Sequence, residues 1–256
     1  MKKILTVLAM TFTFSVLAEV NFLSVCDATG GAPTGYFMRA AIHLSTTARL
    51  NFSMCRKLPS EALPMLERAE VDAVLIDRRF VKDQPYIPVA ADALVLYVST
   101  ANPAAGLTKD QVLEILTARR PSWQNYIRLD FDIQRIAPEL ESQSGTIIRR
   151  VFGEAEIDPE IFKVDTPSGG FAFINTASIF FTRFQSQPPV EVKALSINGI
   201  TPTSATVRDG TYPLAIQYVL VYKDLTPKLQ ALIYLLKQNQ YRAMIHDEGL
   251  QVLLEE

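Results

Sequence analysis

The chain has 256 residues, with 25 Lys and Arg against 27 Asp and Glu, a net charge of −2, and 48% hydrophobic residues. That balance excludes the strongly basic face that nucleic acid or an anionic membrane surface requires, so any anion must be held by local dipoles and a few placed donors. No metal site or cofactor is expected, because His43 and His246 are the only histidines and neither stands at ligand spacing to a Cys or an acidic cluster.

The first twenty residues, "MKKILTVLAMTFTFSVLAEV", set Lys2 and Lys3 before an apolar stretch that ends in the small pair Val16 and Ala18. This is the anatomy of a secretory signal peptide over residues 1–18, cut after Ala18, and it predicts a periplasmic or secreted protein. Cys26 is not expected to carry lipid, since Val25 is too large for the residue before a lipidated Cys.

From residue 20 the pattern alternates. "NFLSVCDA" reads as a strand, "TGYFMRAAIHLSTTA" as a helix, "LNFSMC" as a strand, "PSEALPMLERAE" as a helix and "VDAVLI" as a buried strand ending at "DRRF". Strand and helix in alternation with short joints predict parallel βαβ units and an α/β lobe. Cys26 and Cys55 fall in two of these strands, so a disulfide between neighbouring strands is expected in an oxidising compartment; small buried thiols are the competing arrangement.

"DALVLYVS" is a further strand, and "LTKDQVLEILTA" an amphipathic helix with Thr108 as N-cap and Asp110 in its first turn. "PSGGFAFINTASIFFTRF" does not resolve into helix or strand. "EVKALSI" is a strand, "TYPLAIQYVLVYK" a long strand broken by Pro213, and residues 226–254 read as helical. If "DALVLYVS" and "YPLAIQYVLVY" are crossings between lobes, residues 19–97 and 213–256 form lobe one, with 98–212 inserted as lobe two.

Between these segments lies "LESQSGTIIRRVF", in which Ser144, Gly145 and Thr146 precede an apolar run at helical spacing. With Ser144 as N-cap this is ordinary capping. The same residues also suit an anion cradle, since a helix start offers unpaired N–H groups and a positive dipole end. On the triplet alone both readings stand.

Several segments together resemble the periplasmic phosphate-binding proteins of ABC importers. The family carries a run similar to "VKALSINGITPTSATVRDGTYPL", with Lys-Ala-Leu, a Gly, Pro-Thr and then Gly-x-Tyr-Pro-Leu in that order. "ALVLYVSTANPAAGLTKDQVLEILTARRPSWQNY", with its Asn-Pro turn and Trp123, "EVDAVLIDRRF" and "LLKQNQYRAMIHDEGLQVLL" are similar to family segments in the same order. The resemblance covers most of residues 65–256 and implies the α/β, two-lobed type II periplasmic binding protein fold.

It further implies that Ser144, Gly145 and Thr146 contact the ligand, that Asp77 accepts a hydrogen bond from a protonated oxyanion, and that Gly30, Gly31 and Thr34 belong to a loop presenting amides. The chain departs from the family at Leu140, where many members have a ligand-gripping arginine, at Ser142 for an acidic residue, at Gln143 for glycine and at Ile147 for arginine. Arg149 and Arg150 alternate with apolar residues in a way that turns them to solvent.

The leading expectation is a non-catalytic, monomeric receptor that closes on phosphate or a similar oxyanion and is read by an ABC permease. The alternative is a sensory or scaffold protein of the same fold that has lost tight binding, a reading that Leu140 favours. A secreted hydrolase has least support. No serine sits in a nucleophile elbow, and neither histidine has the context of a catalytic base.

Overall fold

The computed structural model describes residues 22–30, 34–47, 50–142, 145–153, 155–247 and 249–254. The expected signal peptide, Gly31 and Ser144 therefore lie outside the described residues. The first half of the chain contains β1 (Phe22–Asp27), α1 (Thr34–Thr47), β2 (Asn51–Arg56), α2 (Pro59–Glu67), β3 (Ala73–Asp77), β4 (Tyr86–Ser99), β5 (Gly106–Leu107) and α3 (Lys109–Thr117). There follow β6 (Gln134–Pro138), α4 (Thr146–Phe152), β7 (Phe162–Val164), α5 (Pro167–Ala172), β8 (Ser178–Arg183), β9 (Val192–Ala194), β10 (Ser196–Ile197) and α6 (Ser204–Arg208). The chain ends in β11 (Ala215–Tyr222), α7 (Pro227–Leu236), α8 (Asn239–Asp247) and β12 (Gln251–Val252).

Two compact units divide the chain. Unit 1 comprises Met1–Ala90, Tyr218–Glu248 and Val252–Glu256, and unit 2 comprises Ala91–Gln217 and Gly249–Gln251. The chain thus changes unit inside β4 and inside β11, at 90–91 and 217–218, whereas the sequence reading drew those boundaries at 97–98 and 212–213. β4 begins at Tyr86, ahead of the strand read from Asp92, whereas β11, Ala215–Tyr222, lies within the strand read there.

In unit 1 the strand order is β2-β1-β3-β11, with β1 parallel to β2 and β3 and with β11 antiparallel to β3. β3 is buried at every position, as a strand covered on both faces must be. On one face Cys26, Val74, Ile76 and Val219 pack with Ala62 and Leu66 of α2. Pro59 opens α2 at the position where its missing N–H costs nothing, and the Glu61 carboxylate accepts from the Leu58 amide. Cys26 and Cys55 are register partners in β1 and β2, with Cα atoms 4.6 Å apart, and a disulfide joins them.

In unit 2, β8 lies between β4 and β6, antiparallel to the first and parallel to the second, and β7 continues parallel to β6. α3 begins with a reciprocal cap: Thr108 Oγ1 accepts from the Gln111 amide, and the Gln111 side chain accepts from the Thr108 amide. At its other end the guanidinium of Arg135 donates to the carbonyls of Ile115, Ala118 and Arg119 and to Asp158. A buried arginine thus satisfies the carbonyls that a helix end leaves open.

The stretch that periodicity left unresolved becomes α5 and β8, and Gly170 is the reason for its composition. A Cβ there would run into the Phe180 ring. The C-terminal stretch read as helical divides into α7 and α8 and ends in the short strand β12.

Candidate functional site

Parallel strands gather their carboxyl ends at one edge of a sheet, and in open α/β folds that edge is where ligands bind. In unit 1 the edge is formed by Asp27, at the end of β1, and Asp77, at the end of β3. Asp27 is buried and turns its own loop: its carboxylate accepts from the amide of Thr29 at 2.8 Å and from its hydroxyl at 2.6 Å. Gly30 follows with φ of +74°, a conformation that glycine adopts without steric cost, and α1 starts at Thr34. Gly30, Thr34 and Asp77 are thereby brought to the same edge of unit 1.

Asp77 is held by the chain itself. One carboxylate oxygen accepts from the Arg79 amide at 2.9 Å, capping the 3-10 turn Arg78–Phe80, while the other accepts from Arg79 Nε at 2.9 Å and Nη2 at 2.5 Å. Arg78 turns elsewhere, donating to the Val81 carbonyl and lying 4.6 Å over the Tyr86 ring. Arg56 Nε stands 3.8 Å from Asp27. A hollow of 330 Å³ beside it is lined by Asp27, Gly30, Arg56 and Lys57. A larger depression in unit 1, 680 Å³, is lined by Ser24, Ser53, Glu70 and Lys228. It opens towards the opposite, amino end of β1 and β3, and the strand geometry favours the smaller hollow as a ligand edge.

In unit 2 the corresponding edge is the loop from Pro138 at the end of β6 to the start of α4. Ser142 organises this loop. Its hydroxyl donates to the Glu139 carbonyl at 2.6 Å and accepts from the Gly145 amide at 3.0 Å, and its carbonyl accepts from the Thr146 amide at 3.0 Å. Gly145 is buried against the turn so closely that a Cβ would collide with the Glu139 carbonyl. The glycine of the triplet is thus demanded by packing, and the amides of Gly145 and Thr146 already have acceptors.

α4 buries Ile147, Ile148 and Val151. Arg149 is turned to solvent, 2.6 Å from Glu141. On β7 the ammonium of Lys163 is buried and finds no hydrogen-bond partner among the described residues; burial holds its pKa below the usual lysine range, opposed by the Glu139 charge. Asp158 lies below the usual carboxylate range, first because it accepts from the Glu160 amide and then because Arg135 donates to it.

Asp27 and Thr29 were not singled out from the sequence, and Ser142 entered only as a departure from the family's acidic position. Asp-x-Thr at a strand end is the one legible signal among them, since Asp and Thr together form such turns. Among the described residues there is no group of three or more His, Cys, Asp or Glu that suits a metal ion, and no helix long and apolar enough to cross a membrane.

Residues 52–238 match a family described as the PBP superfamily domain. No curated protein matches the chain. Among solved structures, an ABC-type phosphate transport receptor from Vibrio cholerae is similar at 17% identity with a TM-score of 0.64, covering 90% of this chain and 99% of its own. PstS from Borrelia burgdorferi is similar at 15% identity with a TM-score of 0.74, covering 91% and 98%. A LysR substrate binding domain from Wolinella succinogenes follows at 12% identity with a TM-score of 0.58, covering 89% and 99%. At these identities the likeness is one of fold, the two-lobed α/β fold of the type II periplasmic binding proteins.

Proposed function

The chain belongs to the PBP superfamily, and from that premise we propose that it is a secreted solute-binding receptor that closes on phosphate or a similar small oxyanion for ABC-type uptake. The observation that carries this reading is that the loops bearing the proposed contacts leave the carboxyl ends of parallel strands in both units. Gly30, Gly31, Thr34 and Asp77 are the contacts proposed for unit 1, and Ser144, Gly145 and Thr146 those for unit 2. In unit 2 the hydroxyls of Ser144 and Thr146 are the donors, and Gly145 serves by letting the loop close on Glu139. The lobes proposed are 19–97 with 213–256, and 98–212.

A permease reads the closed state, since hinge closure gives a partner a ligand-dependent surface. The protein performs no chemistry on its ligand. Calorimetric titration with phosphate, sulfate, arsenate and molybdate tests the reading. Thr146→Val, which removes the hydroxyl and keeps the shape, is expected to weaken binding by roughly one to two powers of ten.

Leu140 favours a second reading, a sensory or scaffold protein of the same fold, because an apolar residue supplies none of the charge-assisted grip of an arginine. No measurable affinity for any of the four anions, with Thr146→Val altering only the melting temperature, selects that reading instead.

A further inference from the structure

We propose that unit 2 carries a second site, a hollow on the β6–β7 edge of its sheet that takes a small organic cation, an ammonium group borne on an aromatic body. The site is independent of the oxyanion reading and shares no residue with the loop between Pro138 and α4.

The aromatic part of the hollow begins in "GGFAF", where two rings two residues apart take different sides. Phe171 turns inward, edge-to-face with Tyr97 and Phe180, while Phe173 stands at the exposed end of α5. β7 is the last strand of its sheet, and Phe162 pairs in register with Ile136 of β6, so the two side chains share one face. Phe162 and Phe173 meet with ring centroids 4.9 Å apart, yet they stay 51% and 52% exposed. Adjoining rings left half open to water are a cost that a bound ligand relieves. Together with Ile136 they border a hollow of 490 Å³, the size of a small-molecule site.

The polar lining sets the sign of the ligand's charge. Arg135 borders the hollow, but its guanidinium donates to the carbonyls at the end of α3 and to Asp158. Asn175 is spent likewise: Nδ2 donates to Gln134 Oε1 at 2.8 Å, and Oδ1 accepts from the Ala177 amide at 2.8 Å. Glu160 differs. Its amide is anchored on Asp158 at 3.0 Å, while its carboxylate is the one charge of the lining without an ion pair among the described residues. A carboxylate and the negative faces of two rings favour the same sign of ligand, a cation. An anion meets like charge there, and a neutral ring gains only its apolar contact.

The test is an NMR titration of the isotope-labelled protein with three ligands that share one aromatic body and differ in charge: phenethylamine, protonated at neutral pH, phenethyl alcohol and phenylacetate. Phenethylamine is expected to shift the signals of Phe162, Phe173, Gln134 and Asn175, with a dissociation constant on the order of 1 mM, and the other two should bind about tenfold more weakly or less. Glu160→Gln should weaken the amine by about tenfold and bring it level with the alcohol, and Phe173→Leu should weaken it by roughly 3- to 10-fold.

Equal affinities for the amine and the alcohol overturn the inference, because the hollow is then merely apolar. Unchanged amine affinity in Glu160→Gln overturns it too, as does the absence of any shift at these residues with about 10 mM amine. Each of these outcomes leaves the oxyanion reading untouched.

Discussion

At Gly145 there is no room for a side chain, because the turn from Glu139 packs directly on its Cα. Gly145→Ala is therefore expected to destabilise unit 2 by roughly 1–3 kcal/mol, the cost of forcing extra volume into a packed site, and chemical denaturation with and without ligand measures it. Ser142→Ala removes the hydroxyl that holds the Gly145 amide and should cost about 1 kcal/mol, as the loss of a helix-start cap does. Arg135 carries more. It is 5% exposed, and replacing it with Met leaves Asp158, 6% exposed, without its cation. Breaking such a buried pair is expected to cost about 3–5 kcal/mol.

Among the elements, β1 and β2 are joined where an edge strand most needs anchoring. The Cys26–Cys55 disulfide crosses between paired positions, and β2 is the outermost strand of unit 1. Intact mass of the unreduced protein should fall short of the reduced chain by two hydrogens, and removing the bridge should cost about 2–4 kcal/mol. Two alkylatable thiols in the unfolded, unreduced protein would contradict it.

The α3 end is tied to pH through Asp158. Its folded pKa is lowered, so its contribution is present above the unfolded carboxylate value of about 3.9 and is lost as pH falls through the lower folded value. Thermal melts between pH 6 and pH 2 should show stability dropping in the acid part of that range, with a shallower drop in Asp158→Asn.

For the whole molecule, a ligand that binds only the folded protein must stabilise it. At an oxyanion concentration about 100 times the dissociation constant the gain should be roughly 2.7 kcal/mol, read as a rise in melting temperature. A flat response to phosphate, sulfate, arsenate and molybdate favours the scaffold reading. The strands β4 and β11 were legible in advance, because Val, Leu and Ile runs such as "DALVLYVS" and "AIQYVLVY" mark strands whatever surrounds them. Both strands continue through Ala90 and Gln217, where the compact units divide, without any break in composition that would mark a division.

What the chain determines by itself is local: the alternation of strand and helix, the Thr108 cap, and the fold family carried by four motifs in order. The first two depend on residues within a turn or two of one another, so spacing reveals them, while the family rests on the resemblance of whole segments. The tertiary structure decided the rest. Whether Asp77 faces a ligand or a guanidinium depends on how the chain turns after β3, and "DRRF" does not say which of its two arginines folds back. Gly145 reads in sequence as part of an anion loop, and the close approach of its backbone to Glu139 is invisible there, because the Glu139 carbonyl is placed by β6. Arg135 gives no sign in sequence of capping α3, since the three carbonyls it binds lie in the last turn of that helix and just past it, brought within reach only when the sheet forms.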